Sequence, residues 1–229
     1  MIIVKPSFEI MFQDELKNAA KKIEVIARTC YKSEDKISDD SAEKLVKALL
    51  TRGHYPMFDH QTISVRIVCD RGVSHEIVRH RIAAYAQEST RYCNYSKNKF
   101  GNQITVIKPS FFPNIKCGEY EKFEEFKSDN HIDDQKLRYG QEAWALAMFE
   151  TEGRYNQMVE TGYSPQEARS VLPNSLKTEI VCTLDLTAWR HFMYLRTAKA
   201  AHPQMLEIAR PLLDEFKKLV PLIFDDITY

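Results

Sequence analysis

The sequence predicts a single α+β domain, and three observations predict it. Along the chain, stretches with apolar residues at helical spacing are interspersed with stretches that alternate apolar and polar residues or are rich in β-branched residues. No internal repeat, low-complexity linker or clear boundary divides the 229 residues, a length that fits one large domain or two small ones. Hydrophobic residues make up 44% and charged residues 28% of the chain, which is typical of a folded globular protein and not of disorder.

Local patterns predict the elements of the N-terminal part. The segment MIIVKPSFEIMF predicts a strand, because it begins with β-branched residues. Two amphipathic helices should follow, one over 13–29 and one from SDDS to Gly53. QTISVRIVCD alternates apolar and polar residues and predicts a half-buried strand, and RGVSHEIVRHRI predicts a helix.

The middle of the chain is less regular. Residues 93–103 and 109–118 should be loops, separated by a short strand from Gln103 to Ile107. The acidic stretch 119–134 carries seven acids against two lysines and predicts a solvated surface segment. A long helix from Asp133 to Thr161 should then bury one apolar stripe, made of Ala143, Leu146, Ala147, Tyr155 and Met158.

The last third alternates helices with one strand. SPQEARSVLP has the serine, proline and glutamate of a capping box and predicts a helix start. KTEIVCTLDL predicts a strand, and TAWRHFMYLRTAKA and PQMLEIARPLLDEFKKLV predict helices.

Charge, cysteines and glycines exclude several classes of function. The 32 basic and 32 acidic residues cancel, which argues against global attraction to nucleic acids or membranes. No apolar run approaches the ~18 residues of a membrane span, and the N-terminus lacks the pattern of a signal peptide. The five cysteines form no CxxC pair, so a reduced, cytoplasmic compartment is expected. Neither GxGxxG nor GxxxxGK[ST] occurs, so a Rossmann site and a P-loop are unsupported.

The densest chemical signal is RHRIAAYAQESTRYCNYS, over 79–96. Guanidinium groups bind phosphate or carboxylate with two parallel hydrogen bonds. Glutamine and serine add neutral donors and acceptors that suit the edge of a base. The segment therefore predicts a site for a phosphorylated, polar-edged small molecule, with a plain basic surface patch as the alternative.

Two other functions remain open at this stage. His75 and His80 are five residues apart and fail the HExxH spacing, whereas Glu76 and His80 should share a helical face with Arg79. Four histidines within 27 residues, together with Asp59, leave a metal-dependent nucleotide phosphohydrolase possible. A non-catalytic nucleotide- or RNA-binding module would use Arg79, Arg81 and Arg91.

The C-terminal half adds three cations and an imidazole. Arg169 lies in EARSVLP, and Arg190, His191 and Arg196 lie in a helix rich in Trp, Phe, Met and Tyr. A charge embedded in such an apolar helix needs a partner or a ligand.

These residues resemble a known family. Arg79-His80-Arg81, seven residues and then Ser89 resemble the signature of flavin-dependent thymidylate synthases, and Arg91-Tyr92 continue the match. The element GH-x4-DH from Gly53 to His60, the segment EARSVLP and the region FMYLR…HPQ are similar to flanking elements of that family. The resemblance covers two blocks, 52–96 and 167–208.

The resemblance implies a reaction and an architecture. Members convert dUMP to dTMP, with 5,10-methylenetetrahydrofolate as carbon donor and reduced FAD, recharged by NADPH, as hydride donor. The implied fold is α/β, with a central, mostly antiparallel sheet flanked by helices and an additional helical portion. The implied assembly is a homotetramer with shared active sites, and neither a metal nor a nucleic acid or membrane partner is expected.

The resemblance also assigns roles to residues. It places Arg196 against the uracil ring as the catalytic arginine. Arg91 and Arg169 are the expected phosphate ligands in the full set that would bind dUMP: Glu76, Gln87, Ser89, Thr90, Arg91, Arg169 and Arg196. The residues that would contact FAD are His54, Arg79, His80, Arg81, Gln87, Asp185 and His191.

Four positions depart from the family pattern. Pro56 and Met57 stand where a hydroxyl residue and then proline are usual. Asp185 stands where asparagine is common and would bring a negative charge near the flavin, and Thr187 replaces an arginine that some members carry.

Overall fold

The structure, a computed structural model, describes all 229 residues and contains seven strands and nine α-helices. The strands are β1 (Ile2–Val4), β2 (Ser7–Met11), β3 (Thr62–Asp70), β4 (Ala84–Gln87), β5 (Thr105–Ile107), β6 (Gly118–Glu119) and β7 (Lys177–Asp185). The helices are α1 (Ala19–Tyr31), α2 (Ser41–Thr51), α3 (Arg71–Ile77), α4 (Phe123–Asp129), α5 (Gln135–Glu160), α6 (Pro165–Ala168), α7 (Leu186–Arg196), α8 (Pro203–Leu219) and α9 (Pro221–Phe224). The predicted mixed α/β class is confirmed. None of these helices has the length and hydropathy that crossing a bilayer requires.

The chain forms two compact units. The first unit comprises Met1–Ser7, Val68–Ile77 and Gln87–Ile180, and the second comprises Phe8–Ile67, Val78–Ala86 and Val181–Tyr229. The strands form two sheets rather than one central sheet. A single domain stays a prediction.

The first unit is built on a three-stranded sheet of order β5-β1-β6. β1 pairs parallel to β5, with Ile3 opposite Val106, and antiparallel to β6. The predicted N-terminal strand is interrupted at Lys5 and Pro6, because proline has no N–H to donate to a ladder. The acidic stretch is not wholly solvated as predicted: α4 buries Phe126 in the core beside Tyr120.

The long helix α5 begins and ends close to the predicted bounds, but the predicted buried stripe is largely wrong. Asp134 caps its start by accepting a hydrogen bond from the Leu137 amide at 2.9 Å. Tyr155 is buried and Met158 half-buried as expected, whereas the other three stripe residues, Ala143, Leu146 and Ala147, are exposed. The core-facing residues are Gln141, Ala145, Met148 and Tyr155. Their spacing of four, three and seven residues defines a different face of the same helix.

The second unit contains most of a four-stranded sheet of order β2-β3-β7-β4, whose strands β3 and β7 continue along the chain into the first unit. Helices α1, α2, α7, α8 and α9 belong to this unit. Buried Trp189 of α7 anchors that helix to β3, because its indole N–H donates to the Ile63 carbonyl at 2.9 Å. Helix α2 ends where predicted: Gly53 has φ +69°, a left-handed conformation that favours glycine after a helix.

The predicted helix over RGVSHEIVRHRI is half wrong. α3 stops at Ile77, and residues 78–82 form turns and bends. His80 is buried, with its ring centroid 4.6 Å from that of Phe192. Packing of this side chain therefore outweighs local helix propensity, and Glu76, Arg79 and His80 do not share a helical face.

Candidate active site

A cavity of about 260 Å³ lies in the first unit. Its lining contains two guanidinium groups, one imidazole and several neutral polar groups, but no carboxylate. The lining residues are Arg71, His75, Thr90, Arg169, Ser170, Leu172, Pro173, Asn174 and Leu176. Such a lining favours an anionic ligand.

The two arginines of this cavity are loosely held. Arg169 donates to the Thr90 hydroxyl at 3.5 Å. Arg71 donates to the Glu88 carbonyl and to the Thr178 hydroxyl, both at 3.4 Å. Contacts this long to neutral acceptors are weak, so both guanidinium groups can exchange them for charge-assisted bonds to an anion.

Rigid backbone presents each of these arginines. Arg71 starts α3, and its amide donates to the Asn174 carbonyl at 2.9 Å. Arg169 directly follows α6, whose start carries the predicted capping box between Ser164 and Glu167. Hydrogen bonds from Ser164 hold the pKa of Glu167 below its usual range. The backbone of both arginines is thus fixed, and only their guanidinium groups are weakly held.

The end of β4 and the residues that follow it carry three more of the predicted nucleotide residues. Gln87 donates to the Ser74 hydroxyl at 2.9 Å and to the Thr178 hydroxyl at 3.2 Å. The Ser89 hydroxyl accepts from the Arg91 amide at 3.3 Å. The Arg91 guanidinium lies 5.4 Å from the centroid of the neighbouring Tyr92 ring.

The cavity collects only part of the predicted set. Thr90 and Arg169 line it, whereas Arg91 does not, and Glu76 lies half-buried on α3. Arg71 and Asn174 were missed as candidate binding residues, and His75 was considered only as a metal ligand. The available signal for Arg71 was its place immediately after a strand and at the start of a helix, where side chains of different elements meet.

In the second unit, His80 and Arg196 form a hydrogen-bonded pair. The Arg196 Nε–H donates to His80 Nε2 at 2.8 Å. Burial, the charge of Arg196 and the neighbouring His191 together lower the pKa of His80 to about 4. The imidazole is therefore neutral near pH 7, and because Nε2 accepts, its proton lies on Nδ1.

Neighbouring contacts fix both partners of this pair. The Tyr85 hydroxyl donates to the His80 carbonyl at 2.8 Å and so holds the connection into β4. Burial raises the pKa of Tyr85 to about 12, so the hydroxyl keeps its proton. Arg196 is the last residue of α7, the helix anchored by Trp189. The guanidinium that the sequence left without a partner is thus held by an imidazole.

A second cavity, of about 340 Å³, opens on the outer part of α7. It is lined by aromatic, polar and basic groups, namely Tyr55, Thr187, Arg190, His191, Tyr194 and Ile227. Arg190 forms a two-pronged ion pair with Asp226, with both N–O distances 2.6 Å. Although burial favours the neutral guanidinium, the hydrogen bond to Asp226 outweighs it and raises the pKa of Arg190.

The remaining predicted cofactor residues have different surroundings. His54, Arg79 and Arg81 are exposed and do not line this cavity, and no carboxylate pairs with the two arginines. Asp185 caps α7, because its carboxylate accepts from the Ala188 amide at 2.7 Å. This cap explains an acidic residue at that position without a cofactor.

The histidines do not gather into a metal centre. No group of three or more His, Cys, Asp or Glu side chains is arranged to hold a metal ion. The predicted four-histidine phosphohydrolase therefore has no ligand cluster in this structure.

Comparison with known proteins adds independent findings. A family model described as "Thymidylate synthase complementing protein" matches residues 12–222. The flavin-dependent thymidylate synthase of Pyrococcus furiosus is 30% identical over 185 residues, which cover 80% of this chain and 66% of that protein. The chain thus spans just under two thirds of that relative's length. The flavin-dependent thymidylate synthase of Corynebacterium efficiens is 26% identical, and the alignment covers 96% of this chain and 84% of that protein.

A solved structure shares the fold. The crystal structure of the UMP/dUMP methylase PolB from Streptomyces cacaoi, bound with 5-Br dUMP, superposes with a TM-score of 0.70 and 20% identity. The superposition covers 98% of this chain and 96% of that one.

Proposed function

Because this chain belongs to the thymidylate synthase complementing protein family, whose matched relatives are flavin-dependent thymidylate synthases, we propose that it methylates dUMP to dTMP with a flavin. The match over 12–222 is the observation that carries the proposal. The two cationic sites support it, one in each unit.

The cavity of the first unit is the proposed seat of the dUMP phosphate. Arg169 and Arg71 supply two guanidinium groups, and Thr90 supplies a hydroxyl. Since no carboxylate lines the cavity, the lining itself does not repel a dianionic phosphate. Gln87 and Ser89 carry neutral groups suited to the sugar and base, and Arg91 is a third cation on the same segment. Glu76 completes the proposed set.

Arg196 is the proposed catalytic residue. Uracil C5 is a poor nucleophile, and negative charge builds on the ring as it attacks an electrophilic carbon. A fixed guanidinium stabilises such charge without reorganising when the reaction occurs. His80 holds the Nε–H of this guanidinium, which restricts the direction in which its remaining N–H groups can donate.

The aromatic, imidazole and cationic side chains of the second unit are of the kinds that bind a flavin. The exposed rings of Tyr55 and Tyr194 offer flat apolar surface beside His191, and Arg79 and Arg81 are cations without carboxylate partners. His54 and His80 complete the proposed FAD set from this unit. When bound, the flavin supplies the hydride that reduces the transferred carbon. The chain's own task is to orient two flat rings and exclude water.

Asp185 and Gln87 each already use part of their hydrogen-bonding capacity within the protein. The cap on α7 occupies one oxygen of Asp185, so only its other oxygen is proposed to face the cofactor. Gln87 already donates to two hydroxyls, and its remaining acceptor oxygen serves the proposed binding role.

The proposed carbon donor, reductant and assembly follow from the family resemblance. 5,10-Methylenetetrahydrofolate is the proposed carbon donor, and NADPH is the proposed reductant. The proposed assembly is a homotetramer with shared active sites. The cytoplasmic location expected from the cysteines stays a prediction.

One experiment tests the proposal. Purified protein is reconstituted with FAD, its absorption spectrum is recorded before and after dUMP, and dTMP is quantified with methylenetetrahydrofolate and NADPH present. We expect a yellow protein, a spectral change on adding dUMP, and dTMP that disappears when FAD is omitted. A protein that cannot be reconstituted and forms no dTMP would overturn the proposal. Chelator-sensitive release of phosphate without flavin would instead favour the phosphohydrolase.

A further inference from the structure

We propose that Glu88 is a positioning residue for the nucleotide-binding segment 87–91, although its own side chain makes none of the proposed substrate contacts. The inference rests on the proposed binding of dUMP by that segment. Its physical basis is a buried network around the Glu88 carboxylate.

Every polar group of Glu88 has a partner. The Tyr95 hydroxyl donates to one carboxylate oxygen and the Lys177 ammonium donates to the other, both at 2.9 Å. The Glu88 amide donates to the Glu179 carbonyl at 2.8 Å, which extends the pairing of β4 with β7. The Glu88 carbonyl accepts from Arg71. The residue is therefore held firmly by its carboxylate and its amide, and only weakly by the 3.4 Å contact at its carbonyl.

The network is mostly, but not fully, shielded from water. The Glu88 and Lys177 side chains are 15% and 21% exposed, and Tyr95 is 5% exposed. Burial alone would lower the pKa of Lys177, but hydrogen bonds to Glu179 and Glu88 raise it. Burial and the neighbouring Glu88 raise the pKa of Tyr95 far above its usual range. Both donors thus keep their protons, and the carboxylate stays in one place.

The same strand geometry links this network to the substrate residues. Successive side chains along a strand point to opposite faces. Gln87 contacts Thr178, and the next residue, Glu88, contacts Lys177, the residue adjacent to Thr178. One face of this paired segment therefore carries Gln87, a proposed nucleotide contact, and the opposite face carries the ion pair of Glu88 and Lys177.

Anchoring at Glu88 sets the residues that follow it. Ser89 and Thr90 come next in the chain, and Thr90 already contacts Arg169. If Glu88 were mobile, the hydroxyl groups of Ser89 and Thr90 would occupy a wider range of positions. We therefore expect loss of the network to weaken dUMP binding and to leave catalysis by bound substrate largely intact.

Water can replace a hydrogen-bonding group that is removed from the network. A cavity of about 330 Å³ borders it and includes Glu88, Tyr95, Lys99 and Lys177 in its lining. Water can therefore reach Lys177 when a hydrogen-bonding group is removed.

The test uses Tyr95→Phe and Glu88→Gln, with Glu179→Gln as the matched control. The control removes the other acid on Lys177, at 2.6 Å, but leaves segment 87–91 anchored. We expect each of the two variants to raise the Kd and KM for dUMP about tenfold, as loss of a hydrogen bond to a charged group does. Their kcat at saturating dUMP and their flavin spectrum should stay within about twofold of wild type. Lys177→Arg, which keeps the charge, should retain more dUMP affinity than Lys177→Met.

Hydrogen exchange of the peptide covering 87–91 gives a second readout that needs no ligand. Exchange should be faster in Tyr95→Phe and Glu88→Gln than in wild type and in Glu179→Gln. If both variants lose thermal stability but keep wild-type dUMP affinity and wild-type exchange, the network is only structural and the inference is wrong. If wild type binds no dUMP, the proposed function fails, and the exchange data alone decide the positioning role.

Discussion

Two pairs of arginines, one pair in each unit, are held in opposite ways. In the first unit, Arg71 and Arg169 make only contacts of 3.4–3.5 Å to neutral oxygens. In the second unit, Arg196 is held at 2.8 Å by a buried neutral imidazole, and Arg190 is held at 2.6 Å by Asp226. A site that captures an anion gains from cations that are free to form new bonds. A site that stabilises charge during a reaction gains from a cation whose direction is already fixed.

The largest expected effect follows from the fixed arginine. Arg196→Ala should lower kcat about 10²–10³-fold, the usual cost of losing one preorganised donor to a developing charge. The phosphate seat of the first unit remains intact, so the Kd for dUMP should change far less. Steady-state kinetics and calorimetric titration measure the two quantities. Arg66→Ala, at a half-exposed arginine on β3, is the matched control, and equal losses of kcat in both variants would contradict the comparison.

The next effect concerns the loosely held arginines. Arg169→Ala and Arg71→Ala should each raise the Kd for dUMP roughly 10–100-fold, because each removes a charge-assisted hydrogen bond to phosphate. Binding of deoxyuridine, which has no phosphate, should be unchanged by either substitution. Titration with both ligands provides the measurement, and Arg154→Ala on α5 serves as the control. If the substitutions weakened the binding of dUMP and of deoxyuridine equally, these arginines would not bind the phosphate.

A smaller effect is expected from the pH dependence of stability. His80 has a pKa of about 4 in the folded protein against about 6.5 in an unfolded chain. Between these values the unfolded chain binds more protons, so His80 contributes stability that is present above pH 6.5 and is lost as the pH falls toward 4. The Tm should therefore fall less between pH 7 and pH 5 in His80→Gln than in wild type. His131→Gln, at an exposed histidine near Asp133, should retain the wild-type slope.

The smallest expected effect concerns Asp185 and tests whether its role at the start of α7 is that of a helix cap. Asp185→Ala should cost about 1 kcal/mol of stability, and Asp185→Asn only a few tenths, because asparagine also caps a helix. Urea unfolding of the flavin-free protein measures both. A loss of several kcal/mol with asparagine would mean that the negative charge, and not the cap, holds the start of α7.

Patterns within a single element were predicted well from the sequence. Capping residues marked the start of α6, Gly53 marked the end of α2, and alternation marked β3. These features depend on a few neighbouring residues, so the sequence carries them directly.

Features that depend on distant residues were predicted poorly. Burial of His80 against Phe192 ends α3 early, and the core selects another face of α5 than the one expected. The contacts of Glu88 with Tyr95 and of Arg71 with Asn174 join separate elements. No spacing along the chain reveals such a pair, so the phosphate seat and the positioning network required the structure.

The most direct test of the central claim follows tritium at C5 of dUMP. The proposed reaction requires this atom to leave as the new carbon is attached, with flavin bound and Arg196 in place. Wild-type protein with reduced FAD and methylenetetrahydrofolate should release tritium in step with dTMP formation, and Arg196→Ala should release it about 10²–10³-fold more slowly. Release at the wild-type rate by Arg196→Ala, or release and dTMP formation without flavin, would contradict the account.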